Sequence, residues 1–164
     1  MPEKETIERA WQDEREGKSP STQAGEFIRE EMHHIREGKH GARSPEQAIA
    51  IGLSKARRAG VKLPPPKRGR VSAETRAKAE SDLKNARRST RRSKSRSSAT
   101  AKALKREGRS AASHAALSKH AQTSARRRGP RERHQSAMKA VHTKGPQVLQ
   151  QEAQKAAETR AENA

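Results

Sequence analysis

Bulky apolar residues recur at helical spacing in two neighbouring stretches of the chain. In the first stretch Ile28, Met32 and Ile35 follow one another at i, i+4 and i+7, with Phe27 beside them. This spacing places them on one face of a helix. Acidic residues gather toward the start of the stretch and a basic residue stands near its end, which is the order that a helix dipole favours. The pattern predicts a helix over residues 24–37.

The second stretch follows a dense set of helix start signals. Ser44 offers an N-cap hydroxyl, Pro45 suits the first helical position, and Gln47 completes a capping box. Apolar residues then recur at helical spacing until Gly60, which stands where a C-terminal cap belongs. A turn with two glycines, residues 38–42, joins the two predicted helices into a hairpin. The hairpin is the only place where a core is expected, and its expected core residues are Phe27, Ile28, Met32, Ile35, Ile49, Ile51, Leu53 and Ala56.

Proline, glycine and charge divide the rest of the chain. A short surface helix over residues 6–16 is followed by a linker at residues 19–22, and Pro64-Pro65-Pro66 stiffens the chain after the hairpin. The expected organisation is a charged leader and linker (1–23), a helical hairpin module (24–60), a Pro/basic spacer (61–71), a basic Ala/Arg-rich arm (72–144) and a near-neutral helical tail (145–164).

The basic arm is predicted to alternate between helices and disordered segments. The last three predicted helices of the arm end before Gly or Gly-Pro, residues that a helix seldom crosses. Ser89–Thr100 is of low complexity and is predicted to be disordered. The predicted helices are 72–87, 101–106, 110–127 and 132–143, followed by 147–161 in the tail. The fold class is therefore mostly α with no β-sheet.

Composition limits what such a chain can do. Leu, Ile, Val and Phe together number 16 of 164 residues, whereas Ala alone numbers 27. Because alanine favours helix and buries little apolar area, we expect little packing between helices and no enclosed pocket for catalysis. Cysteine is absent, and no apolar run is long enough to span a bilayer. We therefore expect no enzyme activity, no cofactor, no small-molecule substrate and no membrane partner.

Charge is concentrated in the middle of the chain. Residues 1–60 balance 11 basic against 11 acidic residues, and residues 145–164 have 2 against 3. Residues 61–144, the basic stretch, contain 25 Lys and Arg against 5 Asp and Glu, so its local net charge is 25 − 5 = +20. A segment this positive is expected to bind polyanions, of which nucleic acid is the most common in a cell.

Arginine exceeds lysine by 15 to 10 in the basic stretch, and its guanidinium can contact phosphate oxygens with two hydrogen bonds. The protein has one Trp, one Phe and no Tyr, and both aromatics lie outside the stretch. Without rings on which bases could stack, we expect contacts to backbone phosphate and favour duplex DNA over RNA. The predicted contact residues are Lys67, Arg68, Arg70, Arg87, Arg88, Arg91, Arg92, Lys94, Arg96, Lys105, Arg106, Arg109, Arg126, Arg127, Arg128, Arg131 and Arg133.

Two sharper interpretations are disfavoured by residue spacing. His33 and His34 stand beside several glutamates, but adjacent residues on a helix point about 100° apart, and the order lacks the geometry of a zinc helix. We therefore expect surface or rim histidines and no metal site. If the second helix read DNA, its basic residues Lys55, Arg57 and Arg58 would lie at the wrong end. Helices that read DNA usually contact the edges of the nucleobases near their N-terminus.

Two segments together resemble a known family. They are EFIREEMHHIREGKHG at residues 26–41 and SPEQAIAIGLSKARRAG at residues 44–60. They are similar to a family of small, basic, largely uncharacterised bacterial proteins that share a helix reading roughly KQAIAIALSEA and are sometimes labelled DNA-binding. Pro45 and Glu46 stand where that family more often has basic residues, so the turn itself is not expected to grip phosphate. The resemblance implies a bacterial, nucleoid-type setting and transfers no catalytic or ligand residue.

The sequence thus favours a non-enzymatic, nucleoid-associated or histone-like protein in the cytoplasm that binds DNA without sequence specificity. A two-helix module is small for independent stability, so a homodimer through the hairpin is a further expectation. The alternative is an interaction adaptor or RNA-binding protein, whose hairpin docks on a partner while the basic arm contacts RNA or acidic surfaces. The choice between DNA and RNA stays open.

Overall fold

The computed structural model describes residues 2–86 and 94–162, with the backbone alone at Lys94 and Arg96. Across these ranges the chain is helical and contains no strand, which confirms the mostly-α fold class. A 3-10 turn, Ser110–Ala112, precedes the last helix. The helices are α1 (Lys4–Arg15), α2 (Pro20–Arg36), α3 (Pro45–Ala59), α4 (Ala73–Lys84), α5 (Lys94–Arg106) and α6 (His114–Glu162).

Helix α2 begins about one turn earlier than predicted. Ser19 is its N-cap, with a hydroxyl that accepts a hydrogen bond from the backbone N–H of Thr22, and Pro20 occupies the first helical position. The predicted linker at residues 19–22 is therefore wrong, because these residues start the helix. The same Ser-Pro signal begins α3 at Ser44 and Pro45, as predicted.

Helix α3 ends at the predicted glycine cap. Gly60 has a φ of 106°, a left-handed conformation that costs a residue with a Cβ more than it costs glycine. The backbone N–H of Val61 then donates to the carbonyl of Ala56 at 3.1 Å. This turn brings the Val61 side chain into the core, where it is 7% exposed.

The hydrophobic core is larger than the predicted hairpin. In one cluster Phe27 and Ala24 of α2 pack with Ala56 and Val61, and Ala10 of α1 completes the cluster. Since α1 was expected to be a surface helix, confining the core to the hairpin was wrong. The error has a physical cause, because a buried alanine at a close helix contact gives no bulky apolar signal in the sequence.

A second cluster closes the other end of the hairpin. Met32 and Ile35 of α2 pack with Ala48 of α3 and with Ala111 and Ala112 of the 3-10 turn. The last two residues were assigned to the basic arm, yet they are 3% and 1% exposed. Of the predicted core residues, Phe27, Met32, Ile35 and Ala56 are buried, whereas Ile28, Ile49, Ile51 and Leu53 are partly buried.

Gly52 sets the close approach of α2 and α3. A Cβ at this position would lie 2.8 Å from the Cα of Ile28, so only glycine fits this spacing without a shift of the helices. One turn later, the side chain of Lys55 reaches from α3 to carboxylates on α2. The close helix contact therefore positions the polar cluster described below.

Residues from the predicted basic arm also fold against the hairpin. Helix α4 buries Ala79 and contacts α3 through a hydrogen bond from Ser54 Oγ to Asp82 Oδ2. Residues 94–100, predicted to be disordered, form the first half of α5, so that prediction is wrong for them. Residues 89–93 of the same prediction lie outside the described residues. Alanines at 99, 101 and 103 favour the helical state of this segment.

The end of α5 is held by the turn that joins α2 to α3. The backbone N–H groups of Gly41 and Ala42 donate to the carbonyls of Leu104 and Gly108, at 2.9 and 3.1 Å. Arg36 adds a hydrogen bond from its Nε to the carbonyl of Ala112 at 3.0 Å. These long-range contacts anchor residues 104–112, the docked segment, on the hairpin.

Gly41→Ala is expected to release the docked segment. A Cβ at position 41 would overlap the carbonyl oxygen of Glu107, and backbone cannot move aside as a flexible side chain can. We expect a loss of about 1–3 kcal/mol in the free energy of unfolding and faster trypsin cleavage after Lys105 and Arg106. Gly25→Ala is the control, because a Cβ there meets nothing within 4 Å. Equal cleavage rates in both variants would contradict the docking.

Contacts divide the chain into two compact units, Met1–His120 and Ala121–Ala164. In the second unit α6 departs from helical geometry at Gly129 (φ 73°, ψ 168°) and Gly145 (φ 73°, ψ 165°). A proline follows each glycine, and the predicted helix ends at these positions are confirmed. No residue of α6 is buried. Within the described ranges, no helix has both the length and the apolar character needed to cross a membrane.

Candidate functional site

The predicted contact residues lie on separate segments and are exposed where their side chains are described. Lys67, Arg68 and Arg70 lie in the turn before α4. A second group, Lys105, Arg106 and Arg109, lies where α5 ends and the docked segment begins. The third group flanks the bend at Gly129 and consists of Arg126, Arg127, Arg128, Arg131 and Arg133. Arg87, Arg88, Arg91 and Arg92 lie outside the described residues, as do the side chains of Lys94 and Arg96.

Other basic residues have structural contacts instead. Arg57 is 6% exposed and donates from its guanidinium to the carbonyls of Leu63 and Pro64, at 3.2 and 3.3 Å. It thereby fixes the start of the proline spacer against α3. Lys55 is also largely buried, with 14% of its side chain exposed. Two of the polar residues considered for base reading by α3 are therefore turned into the fold, which argues against sequence-specific readout by this helix.

A buried polar cluster lies between α2 and α3. The side chains of Glu30 and Glu31 are each 1% exposed. Lys55 Nζ lies 3.0 Å from Glu30 Oε1 and 2.6 Å from Glu31 Oε2. Sequence reasoning missed this cluster, although Glu31 falls on the apolar stripe between Phe27 and Ile35. A carboxylate on a core stripe is the signal that could have revealed it.

Glu30 and Lys55 keep their charges because hydrogen bonds and opposite charges outweigh the cost of burying them. Burial raises the pKa of Glu30, but the backbone N–H of Glu3 and the ammonium of Lys55 more than offset this and leave the pKa below its usual range. Burial likewise lowers the pKa of Lys55, and the carboxylates of Glu31 and Glu30 reverse the effect and raise it. At neutral pH the Glu30 carboxylate and the Lys55 ammonium are therefore both charged.

Two histidines border the cluster. His34 Nε2 lies 2.8 Å from Glu3 Oε1, and His40 Nε2 lies 3.2 Å from Glu31 Oε1. Their rings stand edge to face, with centroids 6.0 Å apart. His33 is exposed as predicted, whereas His34 is turned inward with 13% of its side chain exposed. The sequence argument paired His34 with its neighbour His33, while the structure pairs it with His40.

A further histidine links α6 to α3. His120 Nδ1 lies 2.8 Å from Glu46 Oε1, near the N-terminus of α3. Hydrogen bonds with its own backbone N–H, with the ring of His120 and with the hydroxyl of Ser44 lower the pKa of the Glu46 carboxyl to about 2. This contact was not predicted, because the two residues are far apart in the sequence. It anchors the start of α6 beside the hairpin.

Comparison with known proteins finds similarity over the hairpin and the start of the basic stretch. Neither a curated protein nor a solved structure matches the chain. The family profile that matches covers residues 15–68, which include α2, α3 and all of the polar cluster except Glu3. The basic residues beyond Arg68 lie outside the match. Over residues 15–68 the chain is thus similar to a family of unknown function, DUF6496.

Proposed function

We propose that this protein binds nucleic acid, and duplex DNA in preference to RNA, through backbone phosphates and without reading base sequence. The observation that carries the proposal is the exposure of the basic groups in a stretch with a net charge of 25 − 5 = +20. Arg126, Arg127 and Arg128 are all exposed on α6, a helix without a buried residue. Such side chains can release condensed counterions from nucleic acid, which is the main source of nonspecific affinity.

Basic residues that hold the fold together differ from those predicted to contact nucleic acid, and this difference supports the proposal. Lys55, Arg57 and Arg36 bind other groups of the fold, and the described side chains of the predicted contact groups are exposed to solvent. A charge of this size is more than a small helical unit needs for solubility. It therefore favours a polyanionic partner.

The placement of aromatic residues favours phosphate contact over base stacking. Phe27 is completely buried, and Trp11 is 47% exposed on α1, within the balanced first part of the chain. No Phe, Trp or Tyr occurs in the basic stretch. Binding is therefore expected to depend on charge density rather than on unpaired bases. A nucleoid-associated role in the cytoplasm, without enzymatic activity, is the setting that this chemistry suits.

The alternative is an adaptor whose hairpin docks on a partner and whose basic stretch contacts RNA or acidic surfaces. The homodimer through the hairpin also stays a prediction. Its starting point was the small size of a two-helix module, and within one chain α1 and the 3-10 turn already pack against the hairpin and enlarge it. A second copy would therefore have to use the outer sides of the folded unit.

The test is a salt titration of DNA binding with charge-matched variants. If about 6 phosphates are contacted, affinity for a duplex falls roughly 10³-fold between 50 and 200 mM salt. Neutralising Arg126, Arg127 and Arg128 to Gln should weaken binding by at least about tenfold and reduce the slope of log affinity against log salt by about 3. The control removes the same charge from exposed Lys4, Arg15 and Arg29, and should have little effect.

Competition among a duplex, a single strand and a structured RNA at one salt concentration separates the leading proposal from the alternative. Preference for the duplex supports it, whereas preference for structured RNA supports the adaptor or RNA-binding alternative. Binding that is independent of salt, or equally weakened by both triple variants, would overturn phosphate contact through the basic stretch.

A further inference from the structure

Glu31 of the polar cluster and the two bordering histidines, His34 and His40, have the arrangement of a metal site. Glu31 and His34 are three residues apart on α2, so both lie on one side of the helix, and His40 follows in the turn after it. One ligand atom of each residue lies within 4.8 Å of the other two. A carboxylate and two imidazoles form a ligand set that zinc accepts, with a fourth position left for water.

Both histidines are oriented by an oxygen acceptor on one ring nitrogen. His40 Nδ1 lies 3.1 Å from the carbonyl oxygen of Gly41, and His34 Nε2 lies 2.8 Å from Glu3 Oε1. An oxygen acceptor requires an N–H, so the other nitrogen of a neutral ring presents a lone pair. Acceptors of this kind fix the tautomer and the orientation of metal-ligating histidines.

This tautomer leaves two acceptors facing each other inside the protein. His40 Nε2 and Glu31 Oε1 are 3.2 Å apart, and the Glu31 side chain is 1% exposed. Among the described residues, neither Glu31 oxygen has a hydrogen bond of acceptable geometry, although Lys55 is ion-paired with Oε2. A proton or a cation must therefore lie between the nitrogen and Oε1. Bonds of ~2.0–2.1 Å place two tetrahedral zinc ligands about 3.3 Å apart, close to the observed separation.

We propose that Glu31, His34 and His40 bind a divalent transition-metal ion, in first place Zn²⁺. Two imidazoles select zinc over Mg²⁺ or Ca²⁺, which prefer oxygen ligands throughout. The ion binds Glu31 through Oε1, so that Lys55 keeps its contact with Oε2. A polar cleft of about 320 Å³, lined by Glu3, Glu30 and His34 among others, gives solvent access to the side of His34.

The ion has a structural role. It ties the turn at residues 38–42 to α2 through His40, and the same turn donates the backbone hydrogen bonds that hold Leu104 and Gly108. Zinc binding therefore stabilises the docked segment, from which the basic residues Lys105, Arg106 and Arg109 project. The proposed metal site does not rest on the proposed binding to nucleic acid, because none of the three ligands belongs to the basic groups.

The test is zinc affinity of the untagged full-length chain, stripped with EDTA and dialysed, then measured in competition with a chromophoric chelator. We expect one tight site per chain, and more than about a tenfold loss of affinity in His34→Ala and in His40→Ala. The matched control is His33→Ala, since His33 is exposed on the same helix and should leave the affinity unchanged. The exposed histidines of α6 are the same in the wild type and in all three variants, so loose zinc binding by them does not alter the comparison.

Two further readouts keep the test decisive if a histidine variant folds poorly. Glu3→Gln alters an exposed side chain whose carboxylate contacts His34 and Lys39. Because that carboxylate orients His34, the substitution should weaken zinc binding by about tenfold. Trypsin cleavage of the wild-type chain at Lys105 and Arg106 should slow in the presence of zinc and not of Mg²⁺. Equal zinc affinity in the wild type, His34→Ala and His40→Ala, or an equal loss in His33→Ala, would overturn the site.

Discussion

Phe27→Ala is expected to lower the free energy of unfolding of the first unit by about 3–5 kcal/mol. Phe27 is the largest fully buried side chain and lies where α1, α2 and α3 meet. Its neighbours include Ala10, Ala24 and Ala56, which are too short to fill the space that the ring leaves. A domain with few bulky apolar residues has little stability in reserve, so we expect much of the unit to unfold.

The measurement is a urea titration followed by circular dichroism and by the fluorescence of Trp11, the single tryptophan. The part of α6 beyond His120 lies outside the first unit and buries no residue, so its signal provides a baseline. Trp11→Ala, followed by circular dichroism alone, is the control, because this ring is 47% exposed and its loss should cost less than about 1 kcal/mol. Similar unfolding midpoints for the two variants would mean that Phe27 is not the centre of the core.

Local signals explain why the helices could be predicted. Ser44, Pro45 and Gly60 mark the two ends of α3, and Gly129 and Gly145 interrupt α6 before prolines. Each signal acts through the conformation of one or two residues and does not depend on distant contacts. The same reasoning, applied to Ser19 and Pro20, would have placed the start of α2 correctly.

Packing was harder to predict because small residues make the contacts. Ala10, Ala111 and Ala112 are buried in the two core clusters, and an alanine has the same appearance in the sequence whether it is buried or exposed. The hydrogen bonds from the turn at Gly41 to Leu104 join residues that are far apart in the sequence. No periodic pattern predicts such a contact.

The two candidate sites also differ in how far local sequence predicts them. The arginine groups could be chosen as contact residues from the sequence alone, because clustered charge is visible there and arginine side chains are mostly exposed in proteins. The polar cluster depends on three-dimensional proximity, because Lys55 and His40 reach Glu31 from different segments. Adjacent residues in the sequence, such as His33 and His34, instead point in different directions.

Lys55→Met is expected to lower the free energy of unfolding by about 3 kcal/mol at pH 7, because it leaves the carboxylates of Glu30 and Glu31 buried without their cation. Methionine preserves most of the side-chain volume, so packing loss contributes little. The control is Lys62→Met, since Lys62 is exposed after the end of α3; its effect should stay within about 0.5 kcal/mol. Both variants are unfolded with urea in EDTA, so that metal binding does not contribute.

The dependence on pH distinguishes buried charge from packing. In the wild type the pKa of Glu30 is lowered, so its contribution is fully present above the unfolded pKa of about 4.3 and is lost as pH falls through the folded value. In Lys55→Met, protonation of a carboxylate instead relieves the unpaired charge. The difference in stability between variant and wild type should therefore shrink as the pH falls from 7 to 5. A difference that does not change over this interval would mean that Lys55 acts through packing and not through its charge.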